Sequence, residues 1–444
     1  MSEAKQKSVK PEFQSWGQYP RYEADMIDLN WSSDFPLKQK PGTSLLPVGL
    51  GRSYGDSCLL DHGTLLNATG MTRVHEFNAE TGLLRCESGM SLSEILDFAV
   101  PQGWFLPVTP GTKFVTVGGA IANDVHGKNH HVAGTFGCHV PRFELIRSDG
   151  SRHLCSATEN SELYHATIGG LGLTGLISWA EVQLRPIVSR QIYYTGIKFR
   201  GIDEFLEISN ASKNIEYTVA WIDCVSEGKN FARGIFMQGE HAKTPGKLFR
   251  SKEPKLSVPF EMPSFLLNRY SVKAFNTLYY NKQLPRVKRT HLDYEPFFYP
   301  LDSVLHWNRI YGHDGLMQFQ CVLPYEEGTG GITEILHTIT ASGLASFLAV
   351  IKVFGDVKSP GMLSFPRPGI TLALDFPVRR DVSFALLDRL GEITLEHGGC
   401  MYPAKDARMK PAEFQSFYPQ WTDFARYIDP AFDSAFWKRV TAHV

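Results

Sequence analysis

Three glycine-rich segments of this sequence have the residue types needed to wrap a phosphate group or a planar ligand. They span residues 47–57 (PVGLGRSYGDS), 110–137 (PGTKFVTVGGAIANDVHGKNHHVAGTFG) and 168–177 (IGGLGLTGLI). Glycine adopts positive φ without steric cost and lets the backbone approach a ligand closely, so consecutive N–H groups can converge on an anion. The three backbones are therefore suited to holding such a ligand.

The first segment matches neither of the common nucleotide-binding loops. A Rossmann fingerprint requires a third glycine at the position of Tyr54, and here Gly55 follows one place late. A Walker A loop requires a Gly-Lys-Ser/Thr ending, which residues 47–57 lack. Taken alone, the segment is either a phosphate loop of another fold or an ordinary tight turn.

Histidines cluster in the second segment, at His126, His130 and His131, with Lys128 between them. A helical His-x-x-x-His pair would suit zinc, but the glycines and small residues around these histidines favour a loop. The nearest acid is Asp124, and no cysteine lies at ligand spacing. We therefore predict no metal site and leave two interpretations open: hydrogen-bonded structural histidines, or the wall of a cofactor or substrate pocket.

The composition is that of an ordinary globular protein with two or three domains. The 444 residues are 43% hydrophobic and 20% charged, with a formal net charge of −1. Seven scattered cysteines without a Cys-x-x-Cys pair suit a reducing compartment better than a disulfide framework. No window reaches the roughly 18 uncharged apolar residues of a spanning helix, and the polar N-terminus lacks the apolar core of a signal peptide. We expect a cytoplasmic protein without a nucleic-acid partner.

Charge is unevenly distributed along the chain. Residues 243–289 contain eleven Lys or Arg and two acids, a net charge of +9, so the remainder carries −10. Aromatic and leucine residues are interleaved with these charges: Phe249, Phe260, Phe265, Leu266, Leu267, Tyr270, Phe275, Tyr279 and Tyr280. This mixture favours contact with an anionic surface or ligand. A solvated loop with a few anchoring aromatics is the alternative.

Local patterns indicate an α+β chain. Strands are predicted where apolar and polar residues alternate or a short apolar run is bounded by turn residues, at 63–69, 83–89, 143–156, 190–199 and 370–378. Helices are predicted where apolar residues recur at helical spacing and the stretch ends on glycine, at 91–103, 160–170, 331–343 and 382–399. The pattern changes near residue 187, so we predict a glycine-rich first domain, 1–187, and a sheet-plus-helix second domain, 188–400.

In this order and spacing, the three glycine-rich segments resemble the FAD-binding domain of the vanillyl-alcohol-oxidase-type flavoproteins. In that family a G-x-G-[HR]-S loop grips the pyrophosphate, and a P-G-T…V-G-G-x-I segment lies along the isoalloxazine. A late G-G-x-G-x-x-G segment contacts the adenosine half. The resemblance implies a two-domain FAD-binding fold of the PCMH type with an antiparallel-sheet substrate domain. It also implies that residues 401–444 complete the FAD-binding domain.

The matching positions imply a set of FAD-binding residues. They are Gly49, Gly51, Arg52, Ser53, Tyr54, Gly55 and Asp56 in the first segment, Pro110, Gly111, Thr112, Val117, Gly118, Gly119, Ile121, Ala122, Asn123, His126, Gly127 and Asn129 in the second, Gly172, Gly175 and Ile177 in the third, and Tyr402 and Lys405 near the C-terminus. Many relatives attach the flavin through a histidine of the first loop, where this sequence has Arg52. A guanidinium does not form that bond, so we predict non-covalent FAD, with Arg52 either near the pyrophosphate or bracing the loop.

One branch of the family matches more closely, namely the flavin subunits of two-enzyme epimerases that oxidise a ribose carried on a polyprenyl phosphate. The resemblance covers nearly the whole chain, is weakest around 225–290, and is most specific in HGKNHH and YPAKD. It implies a flavin and sugar pocket lined by Tyr54, His126, Lys128, Trp221, Gln320, Lys352, Tyr402 and Lys405. The sequence departs from the branch at Ala373, where familiar members have a cysteine, so that thiol is not available here.

The resemblance implies oxidation of the ribose 2′-hydroxyl to a ketone, with FAD as hydride acceptor and a protein side chain as base. Lys405 is the predicted base, because burial and neighbouring cations lower a lysine's pKa, and His126 is the other candidate proton acceptor. Lys128 and Lys352 are predicted to bind the substrate phosphate as point charges. Gln320 is predicted to hydrogen-bond the sugar or the flavin edge.

Two partners are implied by the same resemblance. A separate NAD(P)H-dependent short-chain reductase would complete the epimerisation, and a membrane would hold the lipid-linked substrate. The basic segment, residues 243–289, is predicted to dock on an anionic leaflet or to cover the lipid tail, which would make the protein peripheral at the inner membrane. Two other functions stay open: an FAD oxidase of free alditols or aldonolactones, and a flavin-binding redox carrier without substrate turnover.

Overall fold

The computed structural model describes residues 13–36, 42–249, 256–263 and 266–442. Its strands, in chain order, are β1 (Asp25–Asp28), β2 (Leu45–Val48), β3 (Thr64–Asn67), β4 (Val74–Asn78), β5 (Leu83–Glu87), β6 (Trp104–Phe105), β7 (Arg142–Ile146), β8 (Arg152–Ser156), β9 (Leu176–Gln183), β10 (Arg185–Pro186), β11 (Gln191–Phe199), β12 (Tyr217–Ile222), β13 (Gly234–His241), β14 (Leu256–Ser257), β15 (Val287–Asp293), β16 (Val304–Leu305), β17 (Leu316–Leu323), β18 (Ala349–Phe354), β19 (Gly369–Pro377) and β20 (Cys400–Met401).

Helices connect and cover these strands. In chain order they are α1 (Leu92–Ala99), α2 (Val117–Ala122), α3 (His130–Ala133), α4 (Ser161–Thr167), α5 (Gly201–Ala211), α6 (Arg269–Lys282), α7 (Tyr294–Phe298), α8 (Tyr325–Ser342), α9 (Arg380–Glu396), α10 (Pro411–Phe417), α11 (Trp421–Ala425) and α12 (Ala435–Thr441). No helix in the described part of the chain combines the length and apolar character needed to span a bilayer.

The strands form three larger sheets. A parallel sheet with the order β1-β3-β2 and an antiparallel sheet with the order β4-β5-β9-β7-β8 contain eight of the first ten strands, and β6 and β10 pair separately. An eight-stranded antiparallel sheet follows, with the order β15-β11-β13-β12-β18-β19-β17-β20. Helices α8 and α9 pack on this large sheet, and their buried leucine and isoleucine residues extend one continuous core across it. The mixed α+β class predicted from the sequence is confirmed.

The local patterns located the main elements. Ser91 accepts a hydrogen bond from the Glu94 backbone N–H at 3.2 Å and so caps α1, as its position predicts. Helix α8, in contrast, begins at Tyr325, six residues before the predicted start at 331. Glycines disfavour a helix, but a Cβ added at Gly328 would lie 2.5 Å from Ile370 Cδ1. Close packing on the sheet therefore explains glycine inside this first turn.

The last helices contact segments from the beginning of the chain. The Leu45 backbone N–H donates to the carbonyl of Ala431 at 2.7 Å, and the Ala435 N–H donates to the carbonyl of Leu59 at 2.8 Å. Arg439 of α12 donates to both carboxylate oxygens of Asp56, at 2.7 and 2.9 Å. These bonds support our interpretation that residues 401–444 complete the first domain.

Candidate active site

Two cavities meet near the end of the large sheet. The larger one has a volume of about 1280 Å³, and the smaller is a cleft of about 130 Å³ along the glycine-rich segments. Val125, Tyr402 and Lys405 line both cavities. A ligand in the cleft can therefore present its inner end to a second ligand in the larger cavity at these three residues.

All three glycine-rich segments contribute to the cleft, although more than 100 residues of sequence separate the first from the third. The predicted FAD-binding residues of these segments that line it are Gly49, Gly51, Arg52, Ser53, Gly118, Gly119, Ala122, Asn123, Gly172, Gly175 and Ile177, in addition to Tyr402 and Lys405. Gly51 has φ +60° and Gly172 has φ +80°, a conformation that favours glycine. Convergent glycine backbones with little side-chain volume suit a narrow ligand such as a dinucleotide.

A buried hydroxyl in the cleft supports this fit to a phosphate-containing ligand. Ser57 Oγ lines the cleft, is buried, and has no hydrogen-bond partner among the described residues. Buried polar groups are normally hydrogen-bonded, so this hydroxyl is available to a bound anion. Thr116 Oγ1 accepts a bond from the Gly119 N–H at 3.2 Å and begins α2 at the same wall.

Arg52 occupies a side of this cleft and also supports its loop. Its guanidinium lies 4.4 Å from the ring centroid of Trp16, and Nη1 donates to the carbonyl of Leu50 at 2.5 Å. The backbone N–H of Trp16 donates to the Ser53 carbonyl at 2.8 Å. The residue therefore holds residues 50–53 against the N-terminal segment while it faces the cleft.

Some predicted FAD-binding residues lie behind the cleft walls. Asp56, Val117, Ile121 and Asn129 are at most 1% exposed. The Asn129 side chain donates to the carbonyl of Pro107 at 2.8 Å, and Asp56 pairs with Arg439. Thr112, another predicted residue, accepts a hydrogen bond at its Oγ1 from the Phe114 backbone N–H. Gly55 lies so close to the Asp406 carbonyl that an added Cβ would be 1.6 Å from the carbonyl oxygen. These residues hold the walls in place.

Lys405 projects from a short turn, Pro403–Lys405, at the junction of the two cavities. Its Nζ lies 3.9 Å from the ring centroid of Tyr54, and the Tyr54 N–H donates to the Ala404 carbonyl at 2.9 Å. Burial lowers the pKa of Lys405 to about 8, and the negative charge of Asp375 opposes this shift. A lysine with such a pKa exchanges a proton readily near neutral pH.

His126 lies between two polar side chains in the larger cavity. Lys352 Nζ is 2.8 Å from Nδ1, and the Gln320 side-chain amide is 3.0 Å from Nε2. Lys352 also donates to the Gly127 carbonyl at 2.9 Å. Burial and the nearby Lys352 hold the pKa of His126 well below its usual range, so the ring stays neutral at physiological pH. Both ring nitrogens are engaged, and the ring orientation is fixed.

Lys128, Trp221, Gln320 and Lys352 line the same larger cavity, together with Pro110 and Gly111. Tyr54, which was predicted to line the pocket, lines neither cavity and contacts Lys405 instead. Lys128 Nζ donates to the Phe298 carbonyl at 3.1 Å, and burial lowers its pKa to about 8. The Trp221 indole N–H donates to the Phe347 carbonyl at 3.1 Å, which leaves its ring face as an apolar wall. Tyr402 donates from its hydroxyl to the Asn123 carbonyl at 2.8 Å and so joins the two cavities.

Ala373 lies directly opposite Gln320 in the pairing of β17 with β19, and both side chains line the cavity. The methyl group leaves room beside Thr371, whose Oγ1 accepts a bond from Gln320 at 3.3 Å. Because alanine is smaller than the cysteine of familiar family members, this departure widens the cavity near Gln320. It removes none of the polar contacts that orient the ring.

The basic segment forms part of the larger cavity. Phe249, Leu256, Phe275, Tyr279, Lys282 and Lys288 line it. Other side chains of the same segment face outward: Tyr270 is 83% exposed, Leu278 73% and Leu284 87%. The predicted contributions of residues 250–255 and of Phe265 lie outside the described residues.

Among the residues that lie behind the cavity walls, Asp375 and Arg439 were not predicted from the sequence. Asp375 is on the cavity-facing side of β19, two residues beyond Ala373, and alternation along the strand could have identified it. Arg439 joins Asp56 of the first segment to Asp406, which follows Lys405, at 2.7 and 2.9 Å. No sequence pattern links positions 383 residues apart, so only the fold reveals that contact.

Comparison with known proteins agrees with this geometry. Residues 37–156 match the family model described as an FAD binding domain. The chain is 36% identical over 409 residues to decaprenylphosphoryl-β-D-ribose oxidase of Mycolicibacterium smegmatis, covering 88% of this chain and 87% of that protein. It is 31% identical over 366 residues to an uncharacterized protein in the mprA 5′ region of Streptomyces coelicolor, covering 77% and 96%. A Δ(24)-sterol reductase of Rattus norvegicus matches at 29% over 145 residues, 32% of this chain and 27% of that protein.

The fold, the cleft and the matched domain define an FAD-dependent oxidoreductase. Within that class, the chain belongs to the family of the decaprenylphosphoryl-β-D-ribose oxidases, because the similarity extends over almost the entire length of both proteins. The predicted FAD cofactor and the vanillyl-alcohol-oxidase-type fold are thereby confirmed.

Proposed function

We propose that this protein oxidises the 2′-hydroxyl of a polyprenylphosphoryl-β-D-ribose to a ketone. The observation that carries the proposal is the meeting of the glycine-lined cleft with a much larger cavity at Lys405. Ordinary small-molecule sites have volumes of about 300–1,000 Å³. At about 1280 Å³, the larger cavity exceeds that range, and a free pentose would leave most of it empty.

The lining of the larger cavity supports an amphiphilic substrate. Lys128, Gln320 and Lys352 line the cavity, and Gln320 and Lys352 both contact His126. Most of the exposed lining surface is apolar and includes Val219, Trp221, Ile235, Met237, Phe275, Phe347, Leu348 and Val350. Further charged residues also line the cavity, namely Lys113, Arg190, Lys282, Lys288, Asp293, Glu295 and Asp302. A sugar with an anionic phosphate would fit beside Lys128, Gln320 and Lys352, and a prenyl chain would fit against the apolar surface.

Lys405 is our candidate for the base that removes the hydroxyl proton. FAD, when bound in the cleft, would accept the hydride from the sugar carbon. Lys405 lines both cavities, and no described residue accepts a hydrogen bond from its Nζ. With a pKa of about 8, a substantial fraction of this amine is neutral at pH 7–8 and can take a proton.

His126 fits a different role in this proposal. Because Lys352 and Gln320 occupy its two ring nitrogens, the imidazole is better suited to shape the sugar site than to shuttle protons. Lys352 is itself buried and engaged by His126 and Gly127. Lys128 has donor capacity beyond its one bond to Phe298, so we assign the substrate phosphate chiefly to Lys128.

The ketone product requires a second enzyme if the net reaction is an epimerisation. Reduction to the arabinose form needs a hydride donor, which we assign to a separate NAD(P)H-dependent short-chain reductase. The substrate's lipid would also bring the protein to a membrane. The exposed Tyr270, Leu278 and Leu284 stand among the lysines and arginines of the basic segment, a combination suited to an anionic leaflet.

Anaerobic titration of the purified holoprotein tests this function. We expect farnesylphosphoryl-β-D-ribose to bleach the visible absorbance of the bound flavin, whereas ribose, ribitol and ribonolactone at the same concentration leave it unchanged. Ribose 1-phosphate serves as the control that retains the phosphate and lacks the prenyl chain. Rapid bleaching by a free alditol or lactone, without reduction by the prenylated sugar, would assign the protein to the oxidases of free polyols instead.

A further inference from the structure

Arg190 is a buried arginine in the wall of the larger cavity, one residue before β11. Its side chain is only 4% exposed, and charged groups are seldom buried to this extent unless they are paired. Nε and Nη2 donate to the two carboxylate oxygens of Asp293, at 2.9 and 3.0 Å. Nη1 donates to the backbone carbonyl of Phe249 at 2.5 Å. One planar group therefore holds two positions that lie near opposite ends of the basic segment.

Aromatic rings hold the same guanidinium from two sides of the chain. Its central carbon lies 4.3 Å from the ring centroid of Phe249 and 4.4 Å from that of Tyr294. The carbonyl of Arg190 also accepts a hydrogen bond from the Tyr294 N–H at 3.0 Å. A cation over an aromatic face is attracted to it, and more strongly where water is excluded. The guanidinium therefore has a fixed position between the two chain segments.

The start of the basic segment runs along the backbone on both sides of Arg190. The Ala242 N–H donates to the carbonyl of Gln191 at 2.8 Å, and the Gly246 N–H donates to the carbonyl of Val188 at 3.0 Å. These bonds fix the chain as it approaches the arginine. The bond from Arg190 to the Phe249 carbonyl is the last of this series before the residues outside the described structure.

The chain that follows the basic segment returns to the same place. Strand β15 ends at Asp293, which lies opposite Gln191 in the pairing with β11. Asp293 also begins α7, because its side chain accepts a hydrogen bond from the Glu295 N–H at 3.1 Å. The carboxylate that pairs with Arg190 therefore fixes the point where the chain leaves the sheet and enters the next part of the cavity wall.

The residues joined by this arginine belong to the cavity lining. Arg190, Phe249 and Asp293 all line the larger cavity, and Phe249 is also 48% exposed, so this residue lies where the cavity opens to the outside. We propose that Arg190 is a positioning residue that holds both ends of the basic segment at the cavity wall and so determines how tightly the cavity holds a prenyl chain. The proposal rests on the proposed function for the identity of the substrate. The affinity for prenyl phosphates can nevertheless be measured without turnover.

The test compares Arg190→Met with Arg286→Met in the FAD-loaded protein. Arg286 belongs to the basic segment, has a 72% exposed side chain, pairs with Glu204 at 2.6 Å and lines neither cavity. Both variants remove one positive charge, so Arg286→Met controls for the charge. The probes are farnesyl phosphate and dimethylallyl phosphate, which share the anionic group and differ in prenyl length. Calorimetry measures both affinities, and trypsin cleavage after Lys243 or Lys247 reports whether the start of the segment is released.

The wild-type protein should bind farnesyl phosphate more tightly than dimethylallyl phosphate. In Arg190→Met the ratio of the two affinities should fall by roughly tenfold, because a wall that is no longer held must be ordered by the longer ligand. Trypsin cleavage should also become faster. Arg286→Met should keep the wild-type ratio. An unchanged ratio in a folded, FAD-retaining Arg190→Met protein would overturn the proposal.

Arg190→Lys decides the question if the methionine variant does not fold. It keeps the charge, but a single ammonium lacks the planar fork that bonds Asp293 and the Phe249 carbonyl together. The affinity ratio should again fall, and a wild-type ratio in this variant would contradict the role given to Arg190.

Failure of this inference and failure of the proposed function give different results. If the wild-type protein prefers farnesyl phosphate but prenylated ribose does not reduce its flavin, the function is wrong, and the affinity ratios still decide the role of Arg190. If the flavin is reduced and the ratio is unchanged in the Arg190 variants, the function stands and Arg190 is a structural residue. A wild-type protein without any preference for the longer probe would overturn the inference, whatever reduces the flavin.

Discussion

The Nζ of Lys405 lies 3.9 Å from the ring centroid of Tyr54, so a turn near the C-terminus is in direct contact with the first glycine-rich loop. The backbone bond from Tyr54 to Ala404 fixes the same two segments at 2.9 Å. Lys405 thereby becomes part of the cleft wall that also contains residues near position 50. The position of the candidate base consequently depends on the integrity of the flavin loop.

Lys405→Ala should retain FAD and lose flavin reduction by substrate. Removing a general base typically slows a reaction by roughly 10²–10⁴-fold. In the wild-type protein the reduction rate should rise with pH and be half-maximal near pH 8, because the neutral amine of Lys405 forms as the pH passes its pKa of about 8. Stopped-flow measurement of flavin bleaching at saturating substrate checks both statements.

Lys410→Ala is the matched control for that experiment. Lys410 lies on the same C-terminal segment, is partly exposed, and donates to Glu392 at 3.0 Å on the surface. Its removal should leave the rate and the pH profile unchanged. Normal reduction by substrate in Lys405→Ala would exclude Lys405 as the base.

FAD should be released from the protein by acid denaturation. Arg52 stands where many relatives carry the flavin-linked histidine, and its guanidinium is engaged by Trp16 and Leu50. After trichloroacetic acid precipitation, the yellow colour is expected in the supernatant. Colour that stays in the pellet would indicate a covalent bond and contradict the prediction.

Arg439→Met should weaken both folding and FAD retention. The substitution leaves the buried carboxylates of Asp56 and Asp406 without the guanidinium that pairs with them at 2.7 and 2.9 Å. Breaking one side of a buried ion pair costs roughly 3–5 kcal/mol. Urea unfolding and ultrafiltration of bound flavin measure the two effects.

A control for this substitution lies one position away. Lys438 is half-exposed and forms a 3.4 Å pair with Asp433 on the surface. Lys438→Met should change the free energy of unfolding by less than about 1 kcal/mol. Equal stability of the two variants would show that the contact between α12 and the flavin loop contributes little.

Membrane binding should depend on the outward-facing apolar residues of the basic segment. Tyr270, Leu278 and Leu284 are more than 70% exposed. Fully burying such a side chain contributes about 1.5–3 kcal/mol, so replacing all three by Ser should weaken binding by roughly a thousandfold or more. Sedimentation with phosphatidylglycerol–phosphatidylcholine vesicles measures the affinity.

Two exposed residues of α9 provide the control for vesicle binding. Val382 and Leu395 are 44% and 39% exposed, and their replacement by Ser should leave vesicle binding unchanged. Raising the salt concentration should weaken wild-type binding, since the lysines and arginines of the segment act through screened charge. Absence of wild-type binding at low salt would remove membrane docking from the proposal.

The sequence predicted the main elements, and most of the predicted site residues line one of the two cavities, for identifiable physical reasons. The Ser91 cap predicted the start of helix α1, and the spacing of the glycines predicted the cleft. The start of α8 was wrong by six residues, because tertiary packing of Gly328 on Ile370 outweighs the low helix propensity of glycine. Helix propensities of neighbouring residues do not predict a contact between two positions so far apart in the sequence.

The pKa shifts at the site were harder to predict than the elements, because they arise from contacts between residues far apart in the sequence. Lys352 contacts His126 across a sequence separation of 226 residues, and Arg439 donates to Asp56 across 383 residues. No local pattern encodes such pairs, so their consequences for pKa and for loop position appear only in the folded chain. Asp375 is the intermediate case, since strand alternation could have placed it on the cavity face of β19.

Oxidation at C2′ is tested most directly by an anaerobic single turnover with farnesylphosphoryl-β-D-ribose that carries deuterium at C2′. We expect flavin bleaching to be slower with the deuterated substrate than with the protiated one. We also expect the product, analysed by mass spectrometry, to be the 2′-ketone without the label. A flavin that is not reduced, or that is reduced at the same rate with a product still carrying the C2′ deuterium, would show that the protein does not oxidise this position.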